Sequence, residues 1–566
     1  MAEELAMARG SKITDEEFLA QAESFAKAIE DNPEEVERAE MYIGGSHLNE
    51  HEISFDVLTE QYKRIAAVPS VHEIVIEARI TDLTPEKLDA LDQLANETNT
   101  ICTIAVGIET TNEEILADLN KGITQGSIEH GIQEILSHPH LAAQTYLLTK
   151  PTVMSEGAAI DQSLEDIRLL HEIAKPLAGS KNRFSINMAP VAAIEGTGAA
   201  LNDAYVPPSL WSLIEIIRRL KEQDDGTLDN ITLFFGLNTE GANVVKEGHS
   251  CPSCKEDLLA IINEFNATND PACLENIPDC ECEEEWRHQM ESNRNTPIGG
   301  SIHYPYDSGN PTSSTLYNKQ LRRIMELEEG RFDPEAQRDQ EVRIKATDGK
   351  YHTVAYHQET GRIIAASIMG VISSADLEKI PADQRGWDNL ESIPGSQDGD
   401  ILRGISMASE SAGGAAATID PFLFDAVDKS ENLKGIIGAA MLPGLSKVKE
   451  RLEQELGEEI DTEIMYEVAN QYVEGHAQHV LEGSKESIKI TFTLKGKEIS
   501  LDCPIDSNLG FWLKMPFSDF GPVVHSMETD EKSCNLGLTM FYERGRRGAR
   551  RIQLITSALT TKTLEP

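Results

Sequence analysis

Short apolar runs alternate with longer segments of helical period through the first part of the chain. Six of these runs show little internal alternation, which is typical of strands buried on both faces of a sheet. They are MYIGG (41–45), EIVIEA (73–78), CTIAVGIE (102–109), QTYLLTK (144–150), RFSINMAPV (183–191) and ITLFFGL (231–237). Strands that alternate with helices in this way favour an α/β fold, here a partial (β/α)6 barrel of the TIM type.

The helices between these strands carry sequence signals for their first turns. Residues 14–17, 84–87 and 111–114 each place a capping side chain ahead of acidic residues, which predicts a helix start at each place. In β/α barrels the chemistry lies at the C-terminal ends of the strands. The turns that follow the predicted strands are therefore the first places to look for a site.

Beyond residue 244 the pattern predicts three further segments. Residues 245–293 hold most of the cysteines, and residues 294–330 begin with a stretch rich in Asn, Pro, Gly and Ser that predicts a linker. Residues 331–566 alternate in the manner of antiparallel hairpins at 341–368 and 488–505, with helices between them. We therefore expect a barrel over 1–244, a cysteine-rich segment, and a separate C-terminal α+β domain whose role the sequence leaves open.

Charge changes the picture of possible partners. The 566 residues contain 50 basic and 96 acidic side chains, a net charge of −46, which repels nucleic acid unless basic groups cluster locally. Halophilic adaptation is one explanation for this acidity. No run of about 18 apolar residues and no secretory signal occurs, so we expect a cytoplasmic protein without a membrane span.

Cysteine spacing predicts a metal site. The chain has eight cysteines, and four of them form a Cys-x-x-Cys and a Cys-x-Cys pair that suit a tetrahedral site of four sulfurs: Cys251, Cys254, Cys280 and Cys282. Structural zinc is the expected metal. An iron–sulfur cluster or simple reduced thiols remain alternatives. Cys273 could replace one of the four ligands.

One basic cluster stands out near the C-terminus of this acidic chain. It consists of Arg544, Arg546, Arg547, Arg550 and Arg551. Clustered arginines are an electrostatic footprint for a phosphate backbone, so this is where a nucleic acid would be expected to lie. A set of salt bridges within an acidic protein is the alternative.

Several sequence blocks in the first half occur together and in a fixed order. They include the helix start ITDEEFLAQ, MYIGGSHLNEHEI, IEAR, VGIETTNEEILADLNKGIT, YLLTKP, SIN, YVPPSLWSL, and the cysteine cluster followed by Trp286. From Ile13 to Trp286, about half of the chain, this order resembles archaeosine-forming radical S-adenosylmethionine proteins, called RaSEA. That family is related to the catalytic subunit of elongator.

The resemblance implies a binding site for S-adenosylmethionine. The Gly44-Gly45-Ser46 turn would hold the methionine amino group, since glycines let the backbone approach a ligand closely. Arg79 would pair with the methionine carboxylate, and Glu109 would accept from the ribose hydroxyls.

The resemblance also implies a substrate and partners. The family substrate is a lysine-bearing deazaguanine in tRNA, and Lys121 and Lys150 are the candidates for contact with it. The expected partners are tRNA and a further tRNA-modification subunit.

The chain departs from the family at the residues that bind its [4Fe-4S] cluster. Radical chemistry needs three cysteines, which the family places just before the helix that starts here near Ile13. This chain has Met7-Ala8-Arg9-Gly10 at that place, and its first cysteine is Cys102. The sequence could lack a first segment, the protein could be a degenerate paralogue, or a partner chain could supply the ligands.

Two functional hypotheses follow. The first is a radical S-adenosylmethionine lyase of archaeosine formation. The second is a non-catalytic scaffold that keeps the barrel and the zinc knot and binds tRNA or a modification enzyme.

Overall fold

The computed structural model describes residues 13–32, 36–179, 183–223, 226–237, 243–249, 251–291, 297–301, 311–329, 351–396, 398–410, 414, 417–418, 420–482, 487–526 and 530–546. The chain divides into two compact units. The N-terminal unit contains residues 1–195, 205–294 and 358–361, and the C-terminal unit contains residues 196–204, 295–357 and 362–566.

The strands, in chain order, are β1 Arg38–Met41, β2 Glu73–Ala78, β3 Ile101–Glu109, β4 Leu141–Thr149, β5 Phe184–Pro190, β6 Ala193–Ile194, β7 Thr232–Phe235, β8 Val244–Lys246, β9 Ile298–Ser301, β10 Thr353–Tyr356, β11 Ile363–Ile372, β12 Ile401–Ser409, β13 Gly435–Met441, β14 Ile488–Leu494, β15 Lys497–Cys503, β16 Asp519–His525 and β17 Leu536–Glu543. The helices are α1 Asp15–Glu30, α2 Phe55–Ala66, α3 Pro85–Thr98, α4 Glu113–Asp118, α5 Gln125–Ser137, α6 Glu156–Ala178, α7 Gly198–Leu201, α8 Leu210–Gln223, α9 Thr227–Asn230, α10 Lys255–Thr268, α11 Glu281–Glu291, α12 Pro311–Glu329, α13 Ser374–Leu377, α14 Trp387–Ser392, α15 Asp425–Lys429, α16 Leu445–Leu456, α17 Thr462–Glu482 and α18 Ser507–Lys514.

The N-terminal unit is built on one six-stranded sheet in the order β1-β2-β3-β4-β5-β7, with every neighbouring pair parallel. Helices connect successive strands, as the sequence pattern predicts. One face of the sheet is fully buried and carries Ile74, Ile104, Leu147, Ile186 and Leu233 among its side chains. This face forms the core against the helices.

The opposite face is polar and strongly curved. Tyr42, just after β1, and Tyr146 on β4 bring their hydroxyls to 2.8 Å, and Arg38 on β1 reaches the Gln144 amide on β4 at 2.5 Å. In a flat sheet these strands would lie about 14 Å apart, because neighbouring strands are separated by about 4.8 Å. The contacts across two intervening strands therefore show that the sheet curls into a half-barrel, which confirms the predicted fold class.

Helix starts follow the sequence signals. Thr14 caps α1 in a capping box with Glu17, and Thr84 caps α3 ahead of Pro85. For α4 the capping side chain is Asn112, whose oxygen accepts from two backbone N–H groups. Side chains thus satisfy backbone donors in the first turns of these helices.

The C-terminal unit contains a seven-stranded mixed sheet in the order β16-β17-β13-β12-β11-β10-β9. Its pairs are antiparallel except β12 with β13, and the separate β14–β15 hairpin pairs as predicted. Within the segment predicted as a linker, residues 298–301 form β9, which pairs with β10, and residues 311–329 form α12. Strand β9 was predicted as a linker because its sequence, Ile-Gly-Gly-Ser, lacks the apolar pattern from which a strand is predicted.

Among the described residues, no helix combines the length and apolar character needed to cross a bilayer.

Candidate ligand edge and four-cysteine knot

The turn after β1 is folded around the carboxylate of Glu52, which lies further along the same loop, and it also contacts Glu77 on β2. The Gly44 N–H, at a φ of 70°, donates to the Glu77 carboxylate at 3.1 Å, and the Ser46 N–H donates to Glu52 Oε2 at 2.7 Å. A Cβ atom at Gly45 would lie 1.8 Å from Glu52 Oε2. A side chain at position 45 would therefore displace this carboxylate from its contacts with Ser46 and Arg79.

Arg79 joins the same group from the end of β2. Its Nη1 lies 2.7 Å from Glu52 Oε1, and its backbone N–H donates to the buried Ser46 hydroxyl at 3.2 Å. The Arg79 side chain remains 53% exposed, so it can be reached from solvent while Glu52 orients it. Glu52 lies in no sequence motif that predicts this role.

Glu109 ends β3 with a φ of 70°, in the left-handed region that is unusual for a glutamate. Its carboxylate pairs with the Lys121 ammonium at 2.7 Å. Gly107 leaves room for this pair, because a Cβ there would lie 3.2 Å from Glu109 Oε1. The structure thus brings the two predicted residues Glu109 and Lys121 together.

A buried carboxylate holds the loop that follows Glu109. Asp166 accepts from the Thr111 N–H at 2.8 Å, from the Thr111 hydroxyl at 2.6 Å, and from Thr110 and Gln162. Burial raises the pKa of Asp166 to about 6, and these hydrogen bonds oppose that rise. Asp166 therefore holds the loop next to Glu109. This loop lies at the edge formed by the C-terminal ends of the strands, which we call the ligand edge. No sequence motif predicts the role of Asp166.

Lys150 follows β4 and lies inside the protein. Its side chain is 6% exposed, and its ammonium contacts Glu156 Oε1 at 2.5 Å. Lys150 also has a φ of 59°. The predicted substrate contact is therefore a buried ion pair at the C-terminal edge of the sheet.

His47, next to the turn after β1, is also buried. Its Nδ1 contacts the Glu77 backbone, and burial lowers the pKa of His47 to about 4.

We expect His47 to make the N-terminal unit sensitive to acid. An unfolded histidine takes up a proton near pH 6.5, whereas His47 in the folded chain does so near pH 4, so stability present above pH 6.5 is lost as the pH falls between these values. Between pH 7 and pH 5 the loss is about 2 kcal/mol. Unfolding monitored in urea at both pH values should show that His47→Gln removes this part of the pH dependence, while replacing the exposed His130 leaves it unchanged. An unaltered dependence in His47→Gln would contradict the expectation.

The four predicted metal ligands meet in one place. Their sulfurs all lie within 4.8 Å of one another, with separations of 3.7 Å for Cys251–Cys280, 3.4 Å for Cys254–Cys282 and 3.4 Å for Cys280–Cys282. A zinc–sulfur bond of about 2.3 Å in a tetrahedron implies sulfurs about 3.8 Å apart, so the group fits zinc. Cys273 lies apart from this group, in the 3₁₀ helix Pro271–Asn276. We call the four cysteines the knot.

Two side chains lie within hydrogen-bond distance of sulfurs of the knot. The Trp211 indole N–H lies 3.2 Å from Cys282 Sγ, and His249 Nε2 lies 3.2 Å from Cys254 Sγ. An N–H donor such as the Trp211 indole stabilises a thiolate and orients a metal ligand. A hydrogen bond from the Ser253 backbone lowers the pKa of Cys251 to about 7, whereas burial raises the pKa values of Cys254 and Cys282.

The residues present do not fit the [4Fe-4S] cluster of the radical family. The first cysteine of the sequence, Cys102, is fully buried in β3, and burial raises its pKa to about 12. The knot is the one group of three or more potential metal ligands in the part of the chain that the structure describes. It uses both of its cysteine pairs to close a four-sulfur site.

The arginine cluster is only partly within the described residues. Arg544 donates to the backbone carbonyls of Ser430 and Glu431, and Arg546 pairs with Glu543 at 2.6 Å. Arg547, Arg550 and Arg551 lie outside the described residues. The two described arginines thus contact their own unit, and binding of nucleic acid by the cluster stays a prediction.

Fold and site together define a half-barrel α/β protein with a four-cysteine knot and an additional α+β unit. No family model matches the chain. It is 29% identical over 280 residues to the archaeosine synthase subunit beta of Methanosarcina acetivorans, covering 49% of this chain and 75% of that protein. It is 26% identical over 257 residues to the protein of the same name from Thermococcus kodakarensis, covering 44% and 74%. These similarities confirm the predicted relationship to archaeosine-type proteins.

Among solved structures, the chain is similar to the Elp3 protein of Methanocaldococcus infernus with an N-terminal deletion. The match covers 74% of this chain and 89% of that one, at 11% identity and a TM-score of 0.32. That score lies below the value at which a shared fold can be inferred.

Proposed function

We propose that the chain acts in tRNA modification of the archaeosine type, binding S-adenosylmethionine at the half-barrel edge and zinc in the knot. The similarity to two archaeosine synthase beta subunits over about half the chain carries this proposal. The polar, open face of the half-barrel and the turns at its C-terminal edge give it a place to bind the ligand.

The residues at the edge have chemistry suited to the parts of S-adenosylmethionine. Arg79 offers a planar guanidinium to the methionine carboxylate, and Glu52 holds that guanidinium in place. Glu109 offers a carboxylate to the ribose hydroxyls while Lys121 steadies it. The Gly44-Gly45-Ser46 turn brings backbone groups close to the same edge.

Zinc in the knot would act as a structural crosslink. Four thiolates close the coordination sphere and leave no position for a substrate, which is typical of a structural site. Cys251 and Cys254 precede α10, and Cys282 lies in α11, so one ion would hold the two helices together.

The reaction itself needs an electron donor cluster for which this sequence offers no cysteine triplet. We propose its substrate class as a deazaguanine nucleoside in tRNA bearing a lysine, with a second modification subunit as partner. Tight binding of tRNA to a chain with a net charge of −46 requires a local basic surface.

The proposal predicts that Arg79 contributes to S-adenosylmethionine affinity. Arg79→Ala should weaken binding about 10- to 100-fold, because it removes a charge-assisted hydrogen bond. Equilibrium dialysis with labelled S-adenosylmethionine would measure this change. Arg287→Ala is a matched control, since that side chain is 54% exposed and pairs with Glu283 at 2.7 Å. Equal affinities for the Arg79 variant and the parent would overturn the assignment of Arg79.

A non-catalytic scaffold is the second candidate function, because the four cysteines that meet in the structure close a site without an open position for a substrate. Binding of S-adenosylmethionine and the iron content of the protein distinguish the two candidates. A chain that binds one zinc and tRNA but no S-adenosylmethionine would be a scaffold. Four irons with sulfide per chain after anaerobic reconstitution would instead show that the protein binds an iron–sulfur cluster through other ligands, and would contradict the scaffold.

A further inference from the structure

A buried glutamate connects the knot to the edge of the half-barrel. Glu156 is the first residue of α6, after the capping Ser155, and it is 7% exposed. Its Oε1 contacts the Lys150 ammonium at 2.5 Å. Its Oε2 accepts from the Ser209 N–H at 3.2 Å and from the Ser212 hydroxyl. A carboxylate at a helix N-terminus also gains from the helix dipole.

Two arms of hydrogen bonds and packing contacts lead from the knot toward Glu156. In the first arm the Trp286 indole N–H, on the same helix as Cys282, donates to the Ser212 hydroxyl at 3.0 Å. The rings of Trp286 and Trp211 lie 6.5 Å apart, and Trp211 donates to Cys282 Sγ. Ser212 is therefore bonded to Glu156 on one side and to the knot's own helix on the other.

The second arm passes through His249. Its Nε2 lies 3.2 Å from Cys254 Sγ, and its Nδ1 lies 3.3 Å from the Ser209 hydroxyl. The Ser209 backbone N–H in turn donates to Glu156. Both arms thus end on the same carboxylate oxygen.

Lys150 is a residue that depends on such support. A buried lysine remains charged only while its partner stays in good geometry. Its backbone adopts a left-handed conformation, which persists in a non-glycine residue when the surrounding structure holds it. The Tyr205 hydroxyl donates to the Lys150 carbonyl at 2.9 Å and is the other support on this residue.

We infer that Glu156 is a positioning residue through which the metal in the knot keeps the Lys150 ammonium buried at the ligand edge. The inference rests on the proposed metal binding by the knot. With metal bound, both arms are held and the Lys150–Glu156 pair is closed. Without metal, the two cysteine pairs separate, Ser209 and Ser212 lose their outer partners, and the Lys150 ammonium becomes accessible at the edge.

Amine labelling tests this coupling at a single side chain. Protein loaded with zinc and protein stripped by a chelator would be treated with formaldehyde and cyanoborohydride, and labelling of each lysine followed by peptide mass spectrometry. We expect Lys150 to react about tenfold more slowly with zinc bound, because labelling must follow a local opening. Lys121, in a different ion pair, should change less than twofold.

A variant at Ser212 distinguishes the effect of the hydrogen bonds to Glu156 from the effect of the metal itself. Ser212→Ala should keep one zinc per chain yet label Lys150 several times faster than the parent with zinc bound. Ser137→Ala, at an exposed helix end, should label Lys150 at the parent rate. If stripping the metal unfolds the unit, so that all lysines react together, the comparison of zinc-loaded Ser212→Ala with the parent decides the question.

The outcomes are distinguishable. A chain that binds no zinc overturns the proposed metal site, and the inference falls with it. One zinc per chain with equal Lys150 labelling in the parent and in Ser212→Ala overturns the inference alone and leaves the metal site standing.

Discussion

Cys254→Ser is expected to release the metal and to unfold α11, the helix that carries Cys282. Metal binding in four-ligand zinc peptides is worth about 10–16 kcal/mol, and such peptides are unfolded without it. Helix α11 is net acidic, and among its described side chains only Trp286 is buried, so the metal supplies much of its stability, whereas α10 is held by its own buried apolar face. Metal content by mass spectrometry and hydrogen exchange in α10 and α11 would measure both effects.

The matched control for this variant is Cys273→Ala. Cys273 is buried but lies outside the knot, so its replacement should cost a little packing and leave the metal content at one per chain. Full zinc retention by Cys254→Ser would show that the metal is held by other ligands, and an equal loss in both variants would show that Cys273 belongs to the site.

Glu156→Ala is expected to destabilise the N-terminal unit by about 3–5 kcal/mol, since it leaves the Lys150 ammonium buried without a counter-charge. Replacing both partners by apolar residues, as in Lys150→Met with Glu156→Leu, should recover most of this loss. Urea unfolding followed by a probe in this unit would measure the free energies.

The pair at the end of β3 is the control for this prediction. Lys121 and Glu109 lie 2.7 Å apart, against 2.5 Å for Lys150 and Glu156, but their side chains are 31% and 19% exposed. Glu109→Ala should therefore cost only about 0–1 kcal/mol. Similar losses for Glu109→Ala and Glu156→Ala would contradict the idea that burial makes the Glu156 pair sensitive.

Strands buried on both faces were the part of the fold easiest to predict from sequence. The bounds of β2 agree with the predicted run at both ends, and the apolar residues Ile74, Val75 and Ile76 at its centre are fully buried. The first strand was predicted at 41–45 but spans Arg38–Met41. Its polar residues face the curved interior, so they broke the apolar pattern, and the apolar residues after Met41 lead into the turn at Gly44.

Some residues of the site could be predicted from the sequence and others could not. The knot could be predicted because cysteine pairs at short spacing are rare and chemically specific. Glu52, Asp166 and Glu156 could not, because each is one acidic residue among 96 and its role depends on partners in other elements. Asp166, for example, lies 55 residues from Thr111, the residue with which it makes its shortest hydrogen bond.

The division of the chain between its two units has a consequence for synthesis on the ribosome. Residues 196–204 belong to the C-terminal unit, and Asn202 bonds to the Tyr356 hydroxyl 154 residues later. At about 5–20 residues per second, that partner emerges about 8–30 s after Asn202. The half-barrel therefore completes its sheet before residues 196–204 can pair with the rest of the C-terminal unit. A single cut at any point between 204 and 295 would leave residues 196–204 on the N-terminal fragment, apart from the unit to which they belong.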